Sequence, residues 1–296
     1  MRNLPAIVAL VAAASVGCSI DVRSNEASVR EEKRFTLAGN EPVELTLRTF
    51  DGAIQVKSWD RNEVLVEIER RAPDEAAAEA MTVNTSQEGN RITVEATQPR
   101  DRSSVTFGNW VSRAVHLTVT APRRVALEVR TGDGSIDVDD LEGAIVLGSG
   151  DGRILASRVE GQVTARTGDG SIRIDEAMGQ VEADSGDGSI EIAGRLTGLT
   201  VRTGDGSVSV DAFDGSVLKT DWSITTGDGR VSVRVPERFD AEIDAHTSDG
   251  SIRVDGISPS GDRDESDRRT FQTRLGSGGG VLRLRSSDGS IDVSRR

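Results

Sequence analysis

A Gly-Asp-Gly-Ser motif followed by Ile-x-Val returns along most of this 296-residue chain at a nearly constant interval. Four successive spacings between its Asp residues are 18 residues, and later intervals are looser. A short fixed period indicates repeated supersecondary units that bury their apolar faces by stacking on one another. The Asp of the motif stands at Asp51, Asp133, Asp151, Asp169, Asp187, Asp205, Asp228, Asp249 and Asp288.

Each copy carries apolar residues six and four positions before the Asp and three and five positions after it. Alternation with period two is typical of a half-buried strand, so each unit has one short strand on either side of the Asp-Gly corner. Gly residues mark a second corner, because Gly reaches positive φ without steric cost. These are Gly143, Gly161, Gly179, Gly198 and Gly215. Apolar residues expected to fill that corner are Leu141, Val159, Met178, Leu196 and Phe213.

Two architectures fit this pattern. One is a parallel β-solenoid with about 18 residues and two short strands per coil; the other is an antiparallel meander, since Asp-Gly between alternating apolar residues is a hairpin signal. In a solenoid, residues one coil apart are neighbours at about 4.8 Å. Arg166 would then lie beside Asp184, and Arg173 beside Glu191. We therefore predict an all-β parallel β-solenoid with an N-terminal β-rich cap that contains one short helix.

Residues 1–17 resemble a signal peptide, with Arg2 followed by an apolar stretch that is short for a membrane span. The sequence Ser15-Val16-Gly17-Cys18 resembles a bacterial lipobox, which predicts a lipid on Cys18. The alternative is an ordinary cleaved signal with an incidental Cys. Cys18 is the single Cys of the chain, so an intramolecular disulfide is excluded. The predicted location is the cell envelope, as an exported lipoprotein, in the outer membrane if the organism has one.

Composition and the repeat period divide the rest of the chain into segments. Residues 18–35 are predicted to be the lipidated Cys and a polar tether. Residues 36–122 form an N-terminal capping region that holds a first coil at 44–57 and a helix at 73–81. Residues 123–294 form the solenoid repeats, with an irregular loop at about 258–273 and a last coil at 281–293 that closes the chain.

Three segments carry a family resemblance. They are Leu45-Thr-Leu-Arg-Thr-Phe-Asp-Gly-Ala-Ile-Gln-Val-Lys-Ser-Trp59, Val64-Leu-Val-Glu-Ile68 and Ala121-Pro-Arg-Arg-Val-Ala-Leu-Glu-Val-Arg-Thr-Gly-Asp-Gly-Ser-Ile136. Over residues 36–294 the chain resembles the bacterial DUF4097 family of β-strand repeat proteins, which carries an adhesin label and belongs to a grouping called toast-rack. The resemblance implies a parallel, repeat-built β fold at the bacterial envelope and supplies no catalytic residues.

The Asp row is the main candidate for chemistry. Stacked coils would place the carboxylates about 4.8 Å apart, and Ca²⁺ is a natural partner of carboxylates and turn carbonyls. The alternative, which we prefer, is that each Asp stabilises its own turn and that no metal or other cofactor is bound. The nine-residue repeat of calcium-binding β-rolls does not occur in the chain. The calcium candidates are Asp133, Asp151, Asp169, Asp187 and Asp205.

Other side chains that often carry chemistry are few. His116 and His246 are interpreted as surface residues, and Trp222 falls in an inward column. Trp110 is the best candidate for an exposed aromatic patch, and Trp59 is a weaker one. A net charge of −13 disfavours nucleic acid as a partner, because phosphate contacts need a basic face.

These observations predict a non-enzymatic envelope lipoprotein that presents a repetitive β surface for adhesion or binding. Its expected partners are the membrane, through the lipid anchor, and an envelope protein or a surface glycan. One alternative is an envelope scaffold, stress-response or signalling component that binds another envelope protein. A further alternative is a polysaccharide-acting β-helix enzyme, which rests on fold analogy alone.

Overall fold

The computed structural model describes residues 18–23, 26–39, 41–98, 113–257 and 269–296, and nearly all regular structure in them is β. The helix of this part of the chain is α1, Glu75–Glu79. The first nine strands are β1 Cys18–Arg23, β2 Glu26–Thr36, β3 Val43–Arg48, β4 Ile54–Trp59, β5 Glu63–Ala72, β6 Thr82–Glu88, β7 Arg91–Thr97, β8 Ala114–Pro122 and β9 Val125–Thr131. Four long strands follow: β10 Ile136–Ser149, β11 Ile154–Thr167, β12 Ile172–Ser185 and β13 Ile190–Thr203. The last eight are β14 Val208–Ala212, β15 Trp222–Thr226, β16 Val231–Val235, β17 Ala241–Thr247, β18 Ile252–Asp255, β19 Thr270–Leu275, β20 Val281–Ser286 and β21 Ile291–Arg295.

The coils stack in parallel at the predicted period. Ile136 pairs with Ile154 and Ile154 with Ile172, a shift of 18 residues each time. The predicted parallel solenoid is therefore confirmed, and the meander is wrong. An Asp-Gly corner joins two faces of one coil rather than two antiparallel neighbours, because residues one period apart are direct strand partners.

The predicted apolar columns form the core between the two faces. Every member is buried except Val254, which is partly buried at the end of the stack. Fully burying a Val, Leu or Ile side chain contributes about 1.5–3 kcal/mol, so the rows of aliphatic residues stabilise this thin molecule without a globular centre. Trp222 is fully buried, as its inward column predicts, and its ring packs 5.3 Å from that of Phe239.

The second corner of each coil differs in detail from its prediction. The chain bends at Asp140, Arg158 and Glu176, whose φ angles are +57°, +52° and +55°. In β12 the core position is taken by Ala177, which is 1% exposed, whereas Met178 is 42% exposed. The prediction of Met178 as a corner filler is wrong: Leu141 pairs with Val159, Ala177 follows 18 residues later in that column, and Met178 pairs with the outward Glu160.

Strand pairing gives the order of the stack on each face. We call the face formed by the strands that precede the Asp-Gly corners the pre-corner face. Strands β6, β7 and β19 extend it at its ends. Its order is β6, β7, β3, β9, the C-terminal halves of β10 to β13, β15, β20, β17 and β19. The opposite, post-corner face has the order β1, β2, β5, β8, β4, the N-terminal halves of β10 to β13, β14, β16, β21 and β18.

Stack order and sequence order therefore differ at both ends. The first predicted coil, β3 and β4, is not the first in the stack. On the side facing the N-terminal end of the stack, β3 pairs with β7 and β4 pairs with β8. The coil at 281–293 closes the chain but not the stack, because β20 lies between β15 and β17 and β21 between β16 and β18. Antiparallel strands extend the ends: β6 pairs with β7, β5 with β8, and β19 with β17.

The N-terminal region differs from the predicted polar tether over 18–35. Strands β1 and β2 pair with each other, and β2 pairs antiparallel with β5. Ala27, Val29 and Phe35 are buried, and the charged Glu31 and Lys33 occupy the inward positions between them. Because these two inward residues are charged, the sequence lacks the apolar–polar alternation that marks a strand.

Two shorter elements also differ from their predicted bounds. Helix α1 is shorter than the helix predicted at 73–81, and the Asp74 carboxylate caps it by accepting the Ala77 N–H at 2.7 Å. The loop predicted at about 258–273 is a strand from Thr270 onward. Residues 258–268 lie outside the described residues.

Candidate functional surfaces

The Asp residues of the motif line one edge of the stack. The carboxylates after Asp51 are exposed, and within the described residues none of them has a side-chain hydrogen bond or an ion pair. Asp51, in the first predicted coil, is half-buried. Each corner contributes one carboxylate, and neighbouring strands of the stack are about 4.8 Å apart. The structure thus brings the predicted row together as a straight acidic edge.

A row of hydroxyls, all buried except that of the half-buried Ser149, holds this edge from inside. Thr167 Oγ1 donates to the carbonyl oxygens of Gly150 and Gly152 in the preceding coil at 3.1 and 3.0 Å. The amide N–H of Gly168 also donates to the Gly150 carbonyl of the preceding coil. Equivalent hydroxyls occur two residues before every Asp of the motif: Thr49, Thr131, Ser149, Thr167, Ser185, Thr203, Thr226, Thr247 and Ser286. Sequence reasoning missed this row, although its signal is a Ser or Thr in every copy.

The hydroxyl row bears on the calcium hypothesis. Ca²⁺ takes six to eight oxygen ligands, and turn carbonyls would have to supply part of that set. Those carbonyls already accept hydrogen bonds from the next coil, which leaves mainly one carboxylate per corner. In the part of the chain that the structure describes, no three His, Cys, Asp or Glu side chains are grouped to hold a metal ion. The calcium candidates therefore form a row and not a cluster.

Outward charges on both faces are largely paired between neighbouring coils. On the post-corner face, Arg173 Nη1 lies 2.6 Å from Glu191 Oε2, as predicted. On the pre-corner face, Arg166 lies opposite Asp184 but binds Glu182 instead, at 2.6 Å. Exposed pairs of this kind contribute about 0–1 kcal/mol each, so they neutralise the faces more than they stabilise the fold.

The second-corner edge has a denser charge cluster around Arg123. Its guanidinium contacts Asp140, Glu142 and Glu160 at 3.2, 3.3 and 3.2 Å. The Ser58 hydroxyl donates to Asp140 at 2.5 Å, and this bond, with Arg123, lowers the pKa of the Asp140 carboxyl. Arg123 is charged and belongs to none of the apolar columns, so the sequence pattern did not point to this cluster.

A cleft of about 370 Å³ lies on the N-terminal part of the post-corner face, between β2, β5 and β8. His116 lines it and is half-buried, and its Nδ1 accepts the backbone N–H of Ala53 at 3.1 Å. Burial and, secondarily, the positive charge of Arg71 lower the pKa of His116. The ring therefore acts as a structural acceptor. His246 is exposed, as predicted.

A buried charge cluster lies beside this cleft. Glu31 binds Arg70 at 2.7 Å and Lys33 at 3.1 Å, and Lys33 also donates to Thr85 at 3.1 Å. Burial raises the pKa of Glu31, but the hydrogen bonds from Arg70 and Lys33 outweigh it, so the pKa lies below its usual value. The cluster joins β2 to β5 and β6, which is a structural role.

A second open cleft, of about 540 Å³, lies at the C-terminal end of the pre-corner face. Its centre is Asp244, which Arg285 Nη2 contacts at 2.5 Å and Gln272 at 3.4 Å. Burial raises the pKa of Asp244, and the bond from Arg285 more than compensates, so the carboxyl stays ionised. Paired charges of both signs line the cleft, which suits polar recognition better than acid–base chemistry.

The predicted aromatic contact points are mostly unavailable for binding. Trp59 is half-buried, donates its indole N–H to the Glu63 carbonyl at 2.8 Å, and has the Arg61 guanidinium 4.9 Å from its ring centre. Trp222 is in the core. Trp110 lies outside the described residues. None of the helical structure that is described has the length and apolarity needed to cross a membrane.

The fold and these surfaces define a class: a parallel β-solenoid with one acidic edge and two faces of paired charges. A family model, Toastrack DUF4097, matches residues 40–294, and the chain belongs to this family. No curated protein matches it.

Several solved structures are similar at low identity. A "putative adhesin" from Parabacteroides merdae ATCC 43184 is 12% identical over 89% of this chain and 95% of that one, with a TM-score of 0.47. A "putative lipid binding protein" from Parabacteroides distasonis ATCC 8503 is 14% identical over 90% and 96%, with a TM-score of 0.41. A "putative adhesin" from Bacteroides fragilis NCTC 9343 is 10% identical over 90% and 97%, with a TM-score of 0.40.

Proposed function

We propose that this protein is a non-enzymatic binding protein of the bacterial cell envelope, anchored by a lipid on Cys18. In this proposal the outward columns of the solenoid bind a surface glycan or another envelope protein. The observation that supports it is the in-register stacking of β10 to β13 at 18-residue intervals. Equivalent outward side chains form straight rows on a buried core, and a preorganised surface loses little conformational entropy on binding.

The binding proposal is tested with purified residues 19–296, on a glycan array and in a pull-down from envelope extracts. Arg166→Glu changes the pre-corner face and Arg173→Glu the post-corner face, and both side chains are more than half exposed at mid-stack. We expect one variant to weaken binding by at least about tenfold, or 1.4 kcal/mol, and the other to serve as its matched control.

The outcomes of this experiment distinguish adhesion, the scaffold or signalling alternative and an enzyme. Binding to glycans favours adhesion, whereas capture of one envelope protein without glycan binding favours the scaffold or signalling alternative. Turnover of a polysaccharide, abolished by changing one carboxylate, would overturn the non-enzymatic proposal. Binding that both variants leave unchanged would contradict a role for the faces.

The anchoring proposal is tested separately through Cys18→Ala in the full chain. We expect the variant to leave the membrane fraction and the parent mature chain to carry the mass of a lipid. Unchanged membrane fractionation, with no lipid on the parent chain, would refute the anchor without affecting the binding proposal. Because β1 begins at Cys18 and pairs with β2, the lipid would join the sheet directly.

A further inference from the structure

Asp-Gly pairs can undergo a reaction between the backbone and the Asp side chain. The backbone nitrogen of Gly can attack the side-chain carbonyl carbon of the preceding Asp, since Gly has no Cβ to hinder the approach. The chain contains eleven Asp-Gly pairs. Nine belong to the motif corners, and the other two are Asp214-Gly215 and Asp255-Gly256.

The corner pairs are held in place on both sides of the Gly. At four of them the Gly amide donates to the Ser or Thr hydroxyl of the same corner at 2.9–3.1 Å. At eight of them the Gly carbonyl accepts a hydroxyl from the adjacent coil. A corner must therefore break its contacts with a neighbouring coil before its backbone can rotate.

Asp214-Gly215 lacks both hydroxyl bonds, and its contact with the adjacent coil is an exposed one, from Arg195 Nε to the Asp214 carbonyl at 3.2 Å. The Ser216 amide donates to the Phe213 carbonyl at 3.0 Å, and Gly215 has φ +87°, so the pair forms the centre of a type II turn. Asp214 and Gly215 are exposed, and Ala212 stands where the corners carry a hydroxyl. Among the described residues, the Asp214 carboxylate and the Gly215 amide have no hydrogen-bond partner.

Asp255-Gly256 is similar. Asp255 is the last residue of β18, Gly256 has φ +71°, and both are exposed. Arg253 occupies the position of the corner hydroxyl. The Gly256 amide likewise donates to no group that the structure describes.

We propose that Asp214 and Asp255 are the sites at which this protein forms isoaspartate, and that the hydroxyl row protects the nine corners from the same reaction. The Gly nitrogen loses its proton and bonds to the Asp Cγ, and a carboxyl oxygen leaves as water, which gives a cyclic imide. One water then adds to either imide carbonyl and restores Asp or yields isoaspartate. No oxidant, reductant or enzyme is needed, and the net charge is unchanged.

The test is incubation of the folded chain in H₂¹⁸O at neutral pH, followed by peptide mapping. Each imide hydrolysis places one ¹⁸O on the Asp concerned, so the label counts events even when Asp is restored. We expect label at Asp214 and Asp255 at least about tenfold above that at Asp151 and Asp187, because the corners react only after local opening. In urea all eleven pairs should label at similar rates.

Matched variants test the protecting role of the hydroxyl. Ser149→Ala removes the acceptor of the Gly152 amide and should raise label at Asp151, whereas Ser149→Thr should not. Asp214→Glu should abolish label at that position, because the longer side chain would have to close a six-membered ring. Equal labelling of corners and turns in the folded protein, or no label at Asp214 and Asp255 while the urea sample labels, would overturn the proposal.

Discussion

At the scale of single residues, the Gly that follows the Asp at each corner sets how closely the coils stack. A Cβ on Gly170 would lie 2.2 Å from the carbonyl oxygen of Gly152, whereas a Cβ on Gly148 would meet nothing closer than 3.8 Å. We expect Gly170→Ala to lower the free energy of unfolding by about 1–3 kcal/mol through overpacking. Gly148→Ala should raise it by about 0.4–1 kcal/mol by restricting the unfolded chain. Urea melts measure both changes, and equal effects would contradict the role of Gly170.

His116 is a residue-scale source of pH dependence. It accepts the Ala53 N–H and is therefore neutral in the folded chain, and burial and Arg71 lower its pKa. The unfolded chain, in which the pKa is about 6.5, thus takes up the proton first as the pH falls. The stability contributed by neutral His116 is present above pH 6.5 or so and declines below it until the folded pKa is reached.

The measurement is the free energy of unfolding of the parent and of His116→Gln between about pH 7.5 and 5. The parent should lose stability toward pH 5 more steeply than the variant. Identical slopes would mean that His116 does not titrate differently in the two states.

Sequence reasoning was accurate for the apolar columns beside the Asp-Gly corners and inaccurate at the second corner and at the hydroxyl row. The apolar columns were identified because burial imposes the same chemistry in every coil. Ala177 and Met178 were exchanged because both are apolar, although the 18-residue step from Leu141 and Val159 leads to Ala177, and the bend at Glu176 repeats those at Asp140 and Arg158. The hydroxyl of Thr167 was overlooked because a Ser or Thr beside a turn is ordinary on the surface, although here it is buried.

At the scale of elements, β2 depends on a charge cluster rather than on a continuous apolar face. Glu31 binds Arg70 and Lys33, and these side chains are between 13% and 18% exposed. Glu31→Gln would leave two cations facing each other, and we expect a loss of about 1–3 kcal/mol of stability. Glu32→Gln, on the outward side of the same strand, removes an exposed pair with Arg34 and should cost about 0–1 kcal/mol.

Thermal or urea unfolding of both variants checks this prediction. The effect of Glu31→Gln should shrink in acid, because a carboxyl with a lowered pKa contributes stability above its unfolded pKa and loses it as the pH falls through the folded value. If both variants have the same stability, the cluster does not hold β2 in place. The tether expectation failed here for the same physical reason: a strand with paired charges on its inner side does not show an apolar alternation.

At the scale of the whole molecule, the order of the coils was not predictable from the repeat. All copies carry the same apolar columns and the same corner, so any coil can stack on any other at similar free energy. The connections between coils decide the order. Strand β19 pairs antiparallel with β17. The next strand, β20, then lies between β15 and β17, both of which precede it in the sequence.

This topology makes a prediction about local stability. Strands β20 and β21 are the last of the chain, yet each has a strand partner on both sides, whereas β18 pairs only with β21 among the described residues. Amide hydrogens exchange through local opening, and chain ends usually open most easily. We expect the amides of 282–286 and 291–295 to exchange as slowly as those of β15 and β16, and more slowly than those of 252–255. Hydrogen exchange read by mass spectrometry resolves these peptides. If the C-terminal strands exchanged first, the inserted coil would be a loosely attached end, and the order of the stack given by strand pairing would be wrong.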